Sequence, residues 1–550
     1  MEKVGNRFIE QNRYLILIII VWLIFFVLPI GNRGLWDPDE PRYLQVSWEM
    51  ATSHHYAIPQ INAKPYTHKP PLFFWLSIMT SRLTGFETAS RWVTALASLG
   101  TILLTFFACR KYFSSQTGFT AALILMTSGL YTLLMYTGNL DILLTFFVTL
   151  SVYAFMEWES RKKTSFLLIS YISCGLGILT KGPVALLIPW ITFLVWTVLK
   201  YYKKEAPDYG HLIWGPVLSL AVVLLWLVPA GISGGKEYID EIVFRQNVGR
   251  TVNSFAHKRP WHYFLVNFPL CALPWTFMIP AAVSHFKLKE KNKLFSLSLI
   301  WFAVVLIFFS LMSGKRERYV LPAFPAFSMI IAYLFSASQN RKLTTGFFYF
   351  TAAFTYLALF IVTLFPFVLP EFVEKFKDLA VLSDHGTQTQ RYVLLCIALP
   401  LAVISLIVTF RELKRKNFFL VCAGIAAGMF LVAGIGQIYY IPAIDFVKSA
   451  KHASSRIEAL IQPEDTVAFY KRRLDSAWNF YLNRQHIPVI DDTDLKGHEK
   501  EYDVVICQVK AKKKVQHLIQ KFSGMNYRLN EIAPIGSKKC LIFIRKGNPT

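Results

Sequence analysis

The sequence predicts a polytopic α-helical membrane protein with about thirteen transmembrane helices and a small α/β domain at its C-terminus. Of the 550 residues, 54% are hydrophobic and 17% are charged, whereas a soluble protein contains about 25% charged residues. The mean hydropathy is +0.40. Near residue 445 the apolar runs shorten and the charge rises. We therefore expect a membrane domain over residues 1–444 and an α/β domain over residues 445–550.

The formal net charge of +24 would favour nucleic-acid binding in a soluble protein. Here most basic residues lie in short loops between apolar runs, where they indicate membrane topology. The sequence contains no basic motif interleaved with aromatic residues, so no nucleic-acid partner is expected.

The predicted spans are the apolar runs long enough to cross about 30 Å of hydrocarbon. The first run has no small-residue cleavage site and is predicted to be retained as a helix. Residues 142–199 are almost continuously apolar, so the fourth to sixth spans are the hardest to separate. The spans cover residues 14–30, 92–109, 118–136, 142–156, 164–180, 183–199, 212–232, 263–284, 294–312, 319–336, 344–366, 392–410 and 418–440.

Basic residues recur in alternate loops, and this pattern orients the chain with its N-terminus in the cytoplasm. Thirteen spans then place the C-terminal domain on the outer side of the membrane. The chief exceptions are Lys181 and the group Lys315, Arg316 and Arg318, which lie in predicted outer connections. The inside loops hold Arg110-Lys111, Arg161-Lys162-Lys163, Lys200 with Lys203-Lys204, Lys287 to Lys293, Arg341-Lys342 and Arg411 to Lys416.

The first outer loop, residues 31–91, contains two amphipathic stretches, residues 43–50 and 72–83, which predict helices lying in the membrane interface. Its most unusual run is Asp37-Pro38-Asp39-Glu40-Pro41-Arg42-Tyr43. The two prolines predict extended backbone at Asp37 and Glu40. Because acidic side chains are costly in hydrocarbon, these carboxylates should face water, a partner or a substrate.

Polar residues that membrane helices normally avoid gather on the predicted outer face. Several cations in separate outer loops, including the loop of residues 233–262, indicate an anionic partner such as a phosphate. For any single cation the alternative is snorkelling to lipid headgroups. The carboxylates are Asp37, Asp39, Glu40 and Asp141, the cations are Arg42, Lys64, Lys69, Lys181, Arg250, Lys258, Arg259, Lys315, Arg316 and Arg318, and the histidines are His54, His55, His68, His257 and His262.

A water-exposed carboxylate beside phosphate-binding cations suits glycosyl transfer from a lipid-linked sugar phosphate. Such a reaction needs a base that activates the acceptor and cations that stabilise the departing phosphate. The sequence has no G-x-x-x-x-G-K-[ST] loop to hold a nucleotide phosphate, so ATP-driven chemistry is not expected.

Several motifs resemble one family in their order and residues over about residues 10–330. They are Asp37 to Tyr43, Ile58-Pro59, Lys69-Pro70-Pro71-Leu72, Arg91, Asn139-Leu140-Asp141, Leu179 to Pro183, Asn247 to Arg250 with His257 and Pro260, and Arg318 to Pro322. The chain is similar to the bacterial GT-C glycosyltransferases related to the lipid A 4-amino-4-deoxy-L-arabinose transferase and to protein O-mannosyltransferases. The C-terminal domain resembles the outer domain of some members only weakly.

The resemblance implies a GT-C fold in the bacterial inner membrane, with a periplasmic active site and C-terminal domain. It implies inverting transfer from an undecaprenyl- or dolichyl-type phosphate to lipid A or another envelope glycolipid. By position, Asp39 matches the family's catalytic acidic residue and Asp141 matches a second acidic residue of the site. The positions matched to donor-phosphate binding are Arg42, Tyr43, Lys69, Lys181, Arg250 and Tyr319.

The sequence departs from the aminoarabinose transferases at two positions. His68 replaces a glutamate before the K-P-P-L motif, and Asn247 replaces a histidine three residues before the arginine. If these positions serve a divalent metal, His68 and His257 would still suit zinc, because imidazole is a good zinc ligand. The alternative is a pair of interface histidines bonded to headgroups or backbone. The changes also weaken aminoarabinose as the sugar.

Two other functions stay open. One is a protein O-glycosyltransferase, which would use the same donor and pass the sugar to protein hydroxyls. The other is a transporter of lipid-linked sugars, but such a protein should place its polar residues near the bilayer midplane rather than at one face.

The seven cysteines include no C-x-x-C pair and therefore no thiolate zinc site. Cys507 and Cys540 lie in the C-terminal domain and could pair in an oxidising compartment.

Overall fold

The computed structural model consists mainly of antiparallel helices, followed by a mixed β-sheet. It describes residues 2–36, 38–205, 208–249, 258–285, 292–337, 342–373, 394–459, 461–471, 477–494, 502–509, 512–535 and 538–546. The helices are α1 (Glu2–Trp22), α2 (Glu40–Ser53), α3 (Leu72–Thr84), α4 (Phe86–Tyr112), α5 (Ser115–Met126), α6 (Gly129–Met135), α7 (Leu140–Arg161), α8 (Thr164–Lys181), α9 (Val184–Tyr202), α10 (His211–Ile239), α11 (Tyr263–Cys271), α12 (Ile279–His285), α13 (Lys293–Leu311), α14 (Phe324–Ala337), α15 (Lys342–Val373), α16 (Leu399–Lys414), α17 (Phe418–Ile435), α18 (Ile441–Lys448), α19 (Lys451–Glu458), α20 (Ala477–Tyr481) and α21 (Lys512–Gly524).

The strands are β1 (Gln60–Ile61), β2 (Lys64–Pro65), β3 (Val467–Tyr470), β4 (Val489–Ile490), β5 (Val504–Val509), β6 (Tyr527–Ile535) and β7 (Lys538–Arg545).

Within the described ranges, ten helices are long and apolar enough to cross a membrane, and two sharply bent helix pairs raise the number to twelve if each pair is one span. A shorter apolar helix, Asn12–Val27, occupies the first predicted run. The nearly continuous apolar stretch 142–199 forms three separate helices, α7, α8 and α9. The predicted polytopic helical fold is confirmed, and the chain is an integral membrane protein.

The two bent pairs meet at their breaks. The first, α5 with α6, bends by 72°, and the second, α11 with Trp275–Ala281, bends by 111°. Pro274 lies at the second break, where a proline cannot continue the hydrogen-bonding pattern of a helix. The Gly129 N–H group donates to the Leu273 carbonyl at 2.9 Å, and Trp275 Nε1 donates to Thr127 Oγ1 at 2.9 Å. Each break thus supplies hydrogen-bond partners to the other.

The amphipathic stretches of residues 31–91 form helices α2 and α3, as the sequence predicts. The expectation of extended backbone at Glu40 is wrong, because Glu40 begins α2 and Pro41 lies in its first turn. Proline is tolerated there because first-turn N–H groups have no partner within the helix and the fixed φ of proline already suits a helix. Asp39 precedes α2, so its position follows from where this helix begins.

The C-terminal sheet has the strand order β4-β3-β5-β7-β6. Strand β3 is parallel to β4 and β5, and β7 is antiparallel to β5 and β6. In the sequence, the apolar runs 466–470, 504–507 and 541–544 predict β3, β5 and β7, and the amphipathic stretches 446–461 and 511–522 predict helices near α19 and α21. The sequence does not indicate the edge strands β4 and β6. Strand β4 has only two residues, and β6 contains charged residues and a proline, which are typical of an edge.

Cys507 and Cys540 lie on neighbouring strands but on opposite faces of the sheet. Cys507 is opposite Leu541, and Cys540 is opposite Gln508. Directly opposed residues share a face and successive residues alternate, so the two thiols point into different layers. Accordingly, Cys507 belongs to the apolar cluster that includes Phe522, and Cys540 to the one that includes Trp478. A disulfide between Cys507 and Cys540, which the sequence leaves open, could form only if the sheet came apart.

We expect both thiols to be reduced and protected in the folded protein, because they are 1% and 0% exposed. Alkylation without a reductant, followed by peptide mass spectrometry, should label Cys507 and Cys540 only after the protein is unfolded. Labelling that requires a reductant even after unfolding would reveal a disulfide and contradict this arrangement.

Candidate active site

Arg318 lies between the two carboxylates that the sequence singles out. Its Nη1 group donates to Asp39 Oδ2, and its Nε atom is 3.8 Å from Asp141 Oδ2. The side chains of Asp39, Asp141 and Arg318 are 15%, 7% and 19% exposed. Such limited contact with water strengthens electrostatic interactions within the group. One guanidinium therefore connects segments of the chain that are 279 residues apart.

Lys181 completes this group on the side of Asp141. Its ammonium forms an ion pair with Asp141 Oδ1 and lies 4.5 Å from the ring centre of Tyr319. The Tyr319 ring packs against Phe309 in turn, with ring centres 5.5 Å apart. We call Asp39, Asp141, Lys181 and Arg318 the carboxylate site.

The positions of Asp141 and Lys181 are set by the start of α7 and the end of α8. Asn139 caps the start of α7, where its Oδ1 atom accepts a hydrogen bond from the Asp141 N–H group at 2.7 Å. Lys181 is the last residue of α8, and Gly182 follows with a φ of 103°. That conformation favours glycine because it has no Cβ. The antiparallel helices α7 and α8 thus bring Asp141 and Lys181 together at one end of the bundle.

Tyr43 and Arg42, both predicted donor-phosphate ligands, lie beside Asp39 with different exposure. Arg42 Nη1 is 3.8 Å from Asp39 Oδ1, and its side chain is 42% exposed. Tyr43 is buried against Phe73 and Phe74. Burial, together with the nearby charge of Asp39, raises the pKa of Tyr43 well above its ordinary value. Its phenol therefore stays protonated and can act only as a neutral hydrogen-bonding group.

Glu40 is buried between two arginines rather than facing the solvent. Its carboxylate accepts two hydrogen bonds from Arg33, both at 2.7 Å, and one from Arg91 Nε at 3.1 Å. It also accepts the N–H groups of Trp36 at 3.1 Å and Gly138 at 2.9 Å. We call Arg33, Glu40 and Arg91 the Glu40 cluster; these residues are 6%, 3% and 1% exposed.

The Glu40 cluster fixes the distance between the two parts of the carboxylate site. Glu40 follows Asp39 directly, while Gly138, whose N–H group it binds, is three residues before Asp141. Burial alone would oppose ionisation of Glu40, but the charges of Arg91 and Arg33 prevail and hold its pKa well below its ordinary value. The cluster therefore keeps a full charge on Glu40 at neutral pH.

Lys315 has a structural role. Its ammonium donates to the carbonyl of Arg259 at 3.1 Å and to that of Met312. The neighbouring Lys258 and Gly314 pair as an antiparallel bridge. Burial lowers the pKa of Lys315. Its contacts join the segment that begins at residue 258 to the turn that leads to Arg318.

Of the remaining predicted ligands, Lys69 and His68 lie within the described residues. Arg250 and His257, as well as Asp37, lie outside the described residues. Lys69 is partly buried and His68 is exposed, with the His68 ring centre 5.2 Å from that of Tyr66.

A metal site remains a prediction. Among the described residues, no three His, Cys, Asp or Glu side chains are grouped so as to hold a metal ion. His68 alone does not form a zinc site, and its predicted companion His257 is not described, so we derive no catalytic step through a metal. Elemental analysis of the purified protein, with His68→Ala as the comparison, would measure any bound zinc.

Comparisons with known proteins bear on the fold of the chain. The family model for dolichyl-phosphate-mannose-protein mannosyltransferase matches residues 68–227. The crystal structure of ArnT from Cupriavidus metallidurans bound to undecaprenyl phosphate superposes with a TM-score of 0.74 at 17% identity, covering 97% of this chain and 98% of that one. The chain has the fold of this ArnT structure. The resemblance predicted from the motifs is confirmed.

The chain is also similar in sequence to curated proteins. The undecaprenyl phosphate-α-4-amino-4-deoxy-L-arabinose arabinosyl transferase 1 of Proteus mirabilis is 29% identical over 341 residues, which are 60% of this chain and 61% of that protein. An uncharacterized protein of Aquifex aeolicus is 28% identical over 403 residues, covering 70% and 78% of the two chains. The chain thus matches about three fifths of the length of the arabinosyl transferase.

Arg318 and Glu40 have structural roles that the sequence motifs alone do not indicate. Arg318 lies within the Arg318 to Pro322 motif, yet only Tyr319 of that motif is among the predicted ligands. The sequence does contain one indication of this role: Arg318 is a basic residue in a predicted outer connection and so departs from the positive-inside pattern. Glu40, which the sequence leaves without a role, carries the contacts between the first loop and the turn before Asp141.

We expect Glu40→Gln to lower stability strongly, because two buried guanidinium groups lose their shared negative charge. Removing one partner from a buried ion pair costs about 3–5 kcal/mol. Thermal unfolding of the detergent-purified protein measures the effect. Glu531→Gln is the matched control, since Glu531 pairs with Arg456 at a more exposed position, and surface pairs contribute about 0–1 kcal/mol.

The pH dependence has a defined sign. Because folding lowers the pKa of Glu40, its stabilisation is present above the unfolded-state value of about 4.3 and is lost as the pH falls toward the folded value. Equal stability of Glu40→Gln and the parent protein from pH 7 down to the acid transition would contradict this account.

Proposed function

We propose that the protein transfers a sugar from a polyprenyl-phosphate donor to an envelope glycolipid such as lipid A. The observation that carries the proposal is the Arg318 bridge between Asp39 and Asp141, next to Lys181. Support also comes from the arabinosyl transferases, whose name specifies an undecaprenyl-phosphate-linked sugar, and from the ArnT structure, which contains bound undecaprenyl phosphate.

The charge balance of the site favours an anionic donor. Arg42, Lys181 and Arg318 supply three cationic groups against the two carboxylates, which leaves one net positive charge among these five side chains. A phosphate adds negative charge and acceptor oxygens for charge-assisted hydrogen bonds. Arg42 is the most exposed cation of the three and is therefore placed to meet a donor that enters from water or the membrane surface.

In the proposed reaction Asp39 orients the acceptor group and takes its proton as the acceptor attacks the anomeric carbon. The bond from that carbon to the phosphate oxygen breaks, and the polyprenyl phosphate leaves with the bonding electrons. Its developing charge is stabilised by cations already in place, with Lys69, Arg250 and Tyr319 as the proposed further ligands. Attack opposite the leaving phosphate inverts the configuration of the sugar.

The site is proposed to face the periplasm of a bacterial inner membrane, with the N-terminus in the cytoplasm. The support is the distribution of basic residues, which concentrate in alternate loops away from Asp39 and Asp141. The C-terminal domain would then also be periplasmic.

The acceptor distinguishes the main alternatives. Transfer to protein hydroxyls would use the same donor. This reaction is the second candidate function, because the matching family model is that of a protein mannosyltransferase. A transporter would release neither sugar nor free lipid phosphate. Incubation of the purified protein with radiolabelled polyprenyl-phosphate sugar, and with lipid A or an envelope protein extract, separates the three outcomes by the product that carries the label.

Asp39→Asn should reduce turnover by about 10²–10⁴-fold, because the amide cannot accept the acceptor proton. Membrane insertion and thermal unfolding should change little. Asp208→Asn, in the predicted cytoplasmic loop after α9, is the control with the same chemical change. Near-normal turnover of Asp39→Asn would remove Asp39 from the mechanism.

Arg318→Lys should keep the local charge but lose the bridge, since an ammonium cannot reach two carboxylates in the manner of a planar guanidinium. We expect kcat to fall by about 10²–10³-fold, the usual effect of removing one oriented charge at a reacting centre. Arg245→Lys, at an exposed pair with Glu241, is the control. An unchanged kcat would mean that positive charge alone suffices at this position.

A further inference from the structure

The backbone immediately before the run Asp37 to Tyr43 is bound by residues from the other end of the chain. The Asp445 carboxylate, on α18, accepts the Gly34 N–H group at 3.0 and 2.9 Å and Trp36 Nε1 at 2.6 Å. The Leu35 N–H group donates to the Tyr481 hydroxyl at 2.9 Å. Three consecutive residues of the first loop thus each donate to the last fifth of the chain.

These contacts lie in the interior of the protein. Asp445 is 4% exposed. Leu35 and Leu44 belong to the same buried apolar cluster as Trp478 of the C-terminal domain, and they are 1% and 2% exposed. A Cβ atom on Gly34 would lie 2.2 Å from Ser449 Oγ, so a larger residue here would force Ser449 to move. The first loop is therefore part of the C-terminal hydrophobic core.

Tyr481 is held so that its hydroxyl can serve two partners. It donates to Glu87 Oε1 at 2.8 Å while accepting from Leu35. Burial, with the charge of Glu87, raises the pKa of Tyr481 well above its ordinary value. The hydroxyl therefore keeps the proton that it donates to Glu87. Lys451 holds the same carboxylate from the C-terminal side, at 3.0 Å.

The segment Gly34–Trp36 is bound on its other side by the Glu40 cluster. The Gly34 carbonyl accepts from Arg91 Nη2 at 2.6 Å, and the Trp36 N–H group donates to Glu40 Oε2 at 3.1 Å. Both polar backbone groups of Gly34 are therefore occupied, one by Asp445 and one by Arg91. The segment Gly34–Trp36 therefore cannot shift without breaking hydrogen bonds on both sides, and Asp39 follows three residues after Trp36 in the chain.

We propose that Asp445 is a positioning residue for the transfer reaction, and that it acts with Tyr481 so that docking of the C-terminal domain completes the catalytic site. Asp445 acts through Gly34 and Trp36 on the placement of Asp39. This inference rests on the proposed transferase function for its kinetic consequence, but its structural part stands on the contacts alone.

Two variants test it. Asp445→Asn replaces a carboxylate that accepts N–H groups with both oxygens by an amide, whose NH₂ group would face an N–H donor. Tyr481→Phe leaves the Leu35 N–H group without its acceptor. Asp465→Asn is the matched control, because Asp465 is also a buried carboxylate of the C-terminal domain, 8% exposed, but it accepts the N–H group of Gln462 within that domain.

The first measurement is hydrogen exchange over residues 33–44 in the full-length protein. Exchange should be about tenfold faster in Asp445→Asn and Tyr481→Phe, as expected for loss of one hydrogen bond, and unchanged in Asp465→Asn. The second measurement is the steady-state kinetics of sugar transfer. In both variants kcat should fall by at least the factor by which the exchange rate rises, while KM for the donor stays within about threefold of the parental value.

If residues 33–44 exchange at the same rate in both variants as in the parent protein, the structural part of the inference is wrong, whatever the activity. Faster exchange with unchanged kcat would overturn the positioning role. A loss of kcat in Asp465→Asn equal to that in Asp445→Asn would show a general effect of domain stability and would also overturn it. If the parent protein itself transfers no sugar, the proposed function fails, and the exchange data still decide whether Asp445 holds the loop.

Discussion

The buried carboxylate of Glu40, held by the guanidinium groups of Arg33 and Arg91, is the interaction on which the rest of the site depends. Removing three charged side chains from water is costly, and the cost is offset only when geometry is good and the remaining donors are satisfied. Here the donors that do not reach Glu40 bind backbone carbonyls, including those of Ile30, Gly34 and Tyr136. One charge cluster thereby joins the end of the first helix, α2, α4 and the turn before α7.

The carboxylate site differs in two respects. Its members come from connections and helix ends and remain partly accessible, and its two cations balance its two carboxylates, with the exposed Arg42 beside them. A buried cluster with satisfied donors and a more accessible charged cluster thus lie side by side, separated by the single peptide bond between Asp39 and Glu40. The buried cluster provides a rigid frame, and under the proposed function the other cluster, together with Arg42, carries one net positive charge toward a phosphate, which is the division expected of a preorganised site.

The sequence predicts the helical spans closely, because each span is a long apolar run and its recognition requires only local information. It also brings Asp39, Asp141 and Lys181 to one face through topology alone. It does not predict that Arg318 joins the two carboxylates, since that pairing depends on the packing of helices far apart in the chain. The sequence predicts an extended, accessible segment at Glu40. It does not predict the burial of Glu40, because that burial depends on Arg33 and Arg91 both reaching its carboxylate. The short edge strand β4 offers too few residues for any pattern, and the charged strand β6 resembles a loop.

The separation of these contacts along the chain also has a consequence in time. Glu40 and Arg91 are 51 residues apart, so at about 5–20 residues per second the Glu40 cluster has all its members within roughly 3–10 s of synthesis. Asp39 and Arg318 are 279 residues apart, and the same rate leaves Asp39 without Arg318 for roughly 15–60 s. A ribosome-bound chain thus carries the frame long before it carries the charge that balances the site. Until most of the membrane domain is inserted, Asp39 must be kept in water or by lipid headgroups, whereas Asp141 can already pair with Lys181, which is only 40 residues away.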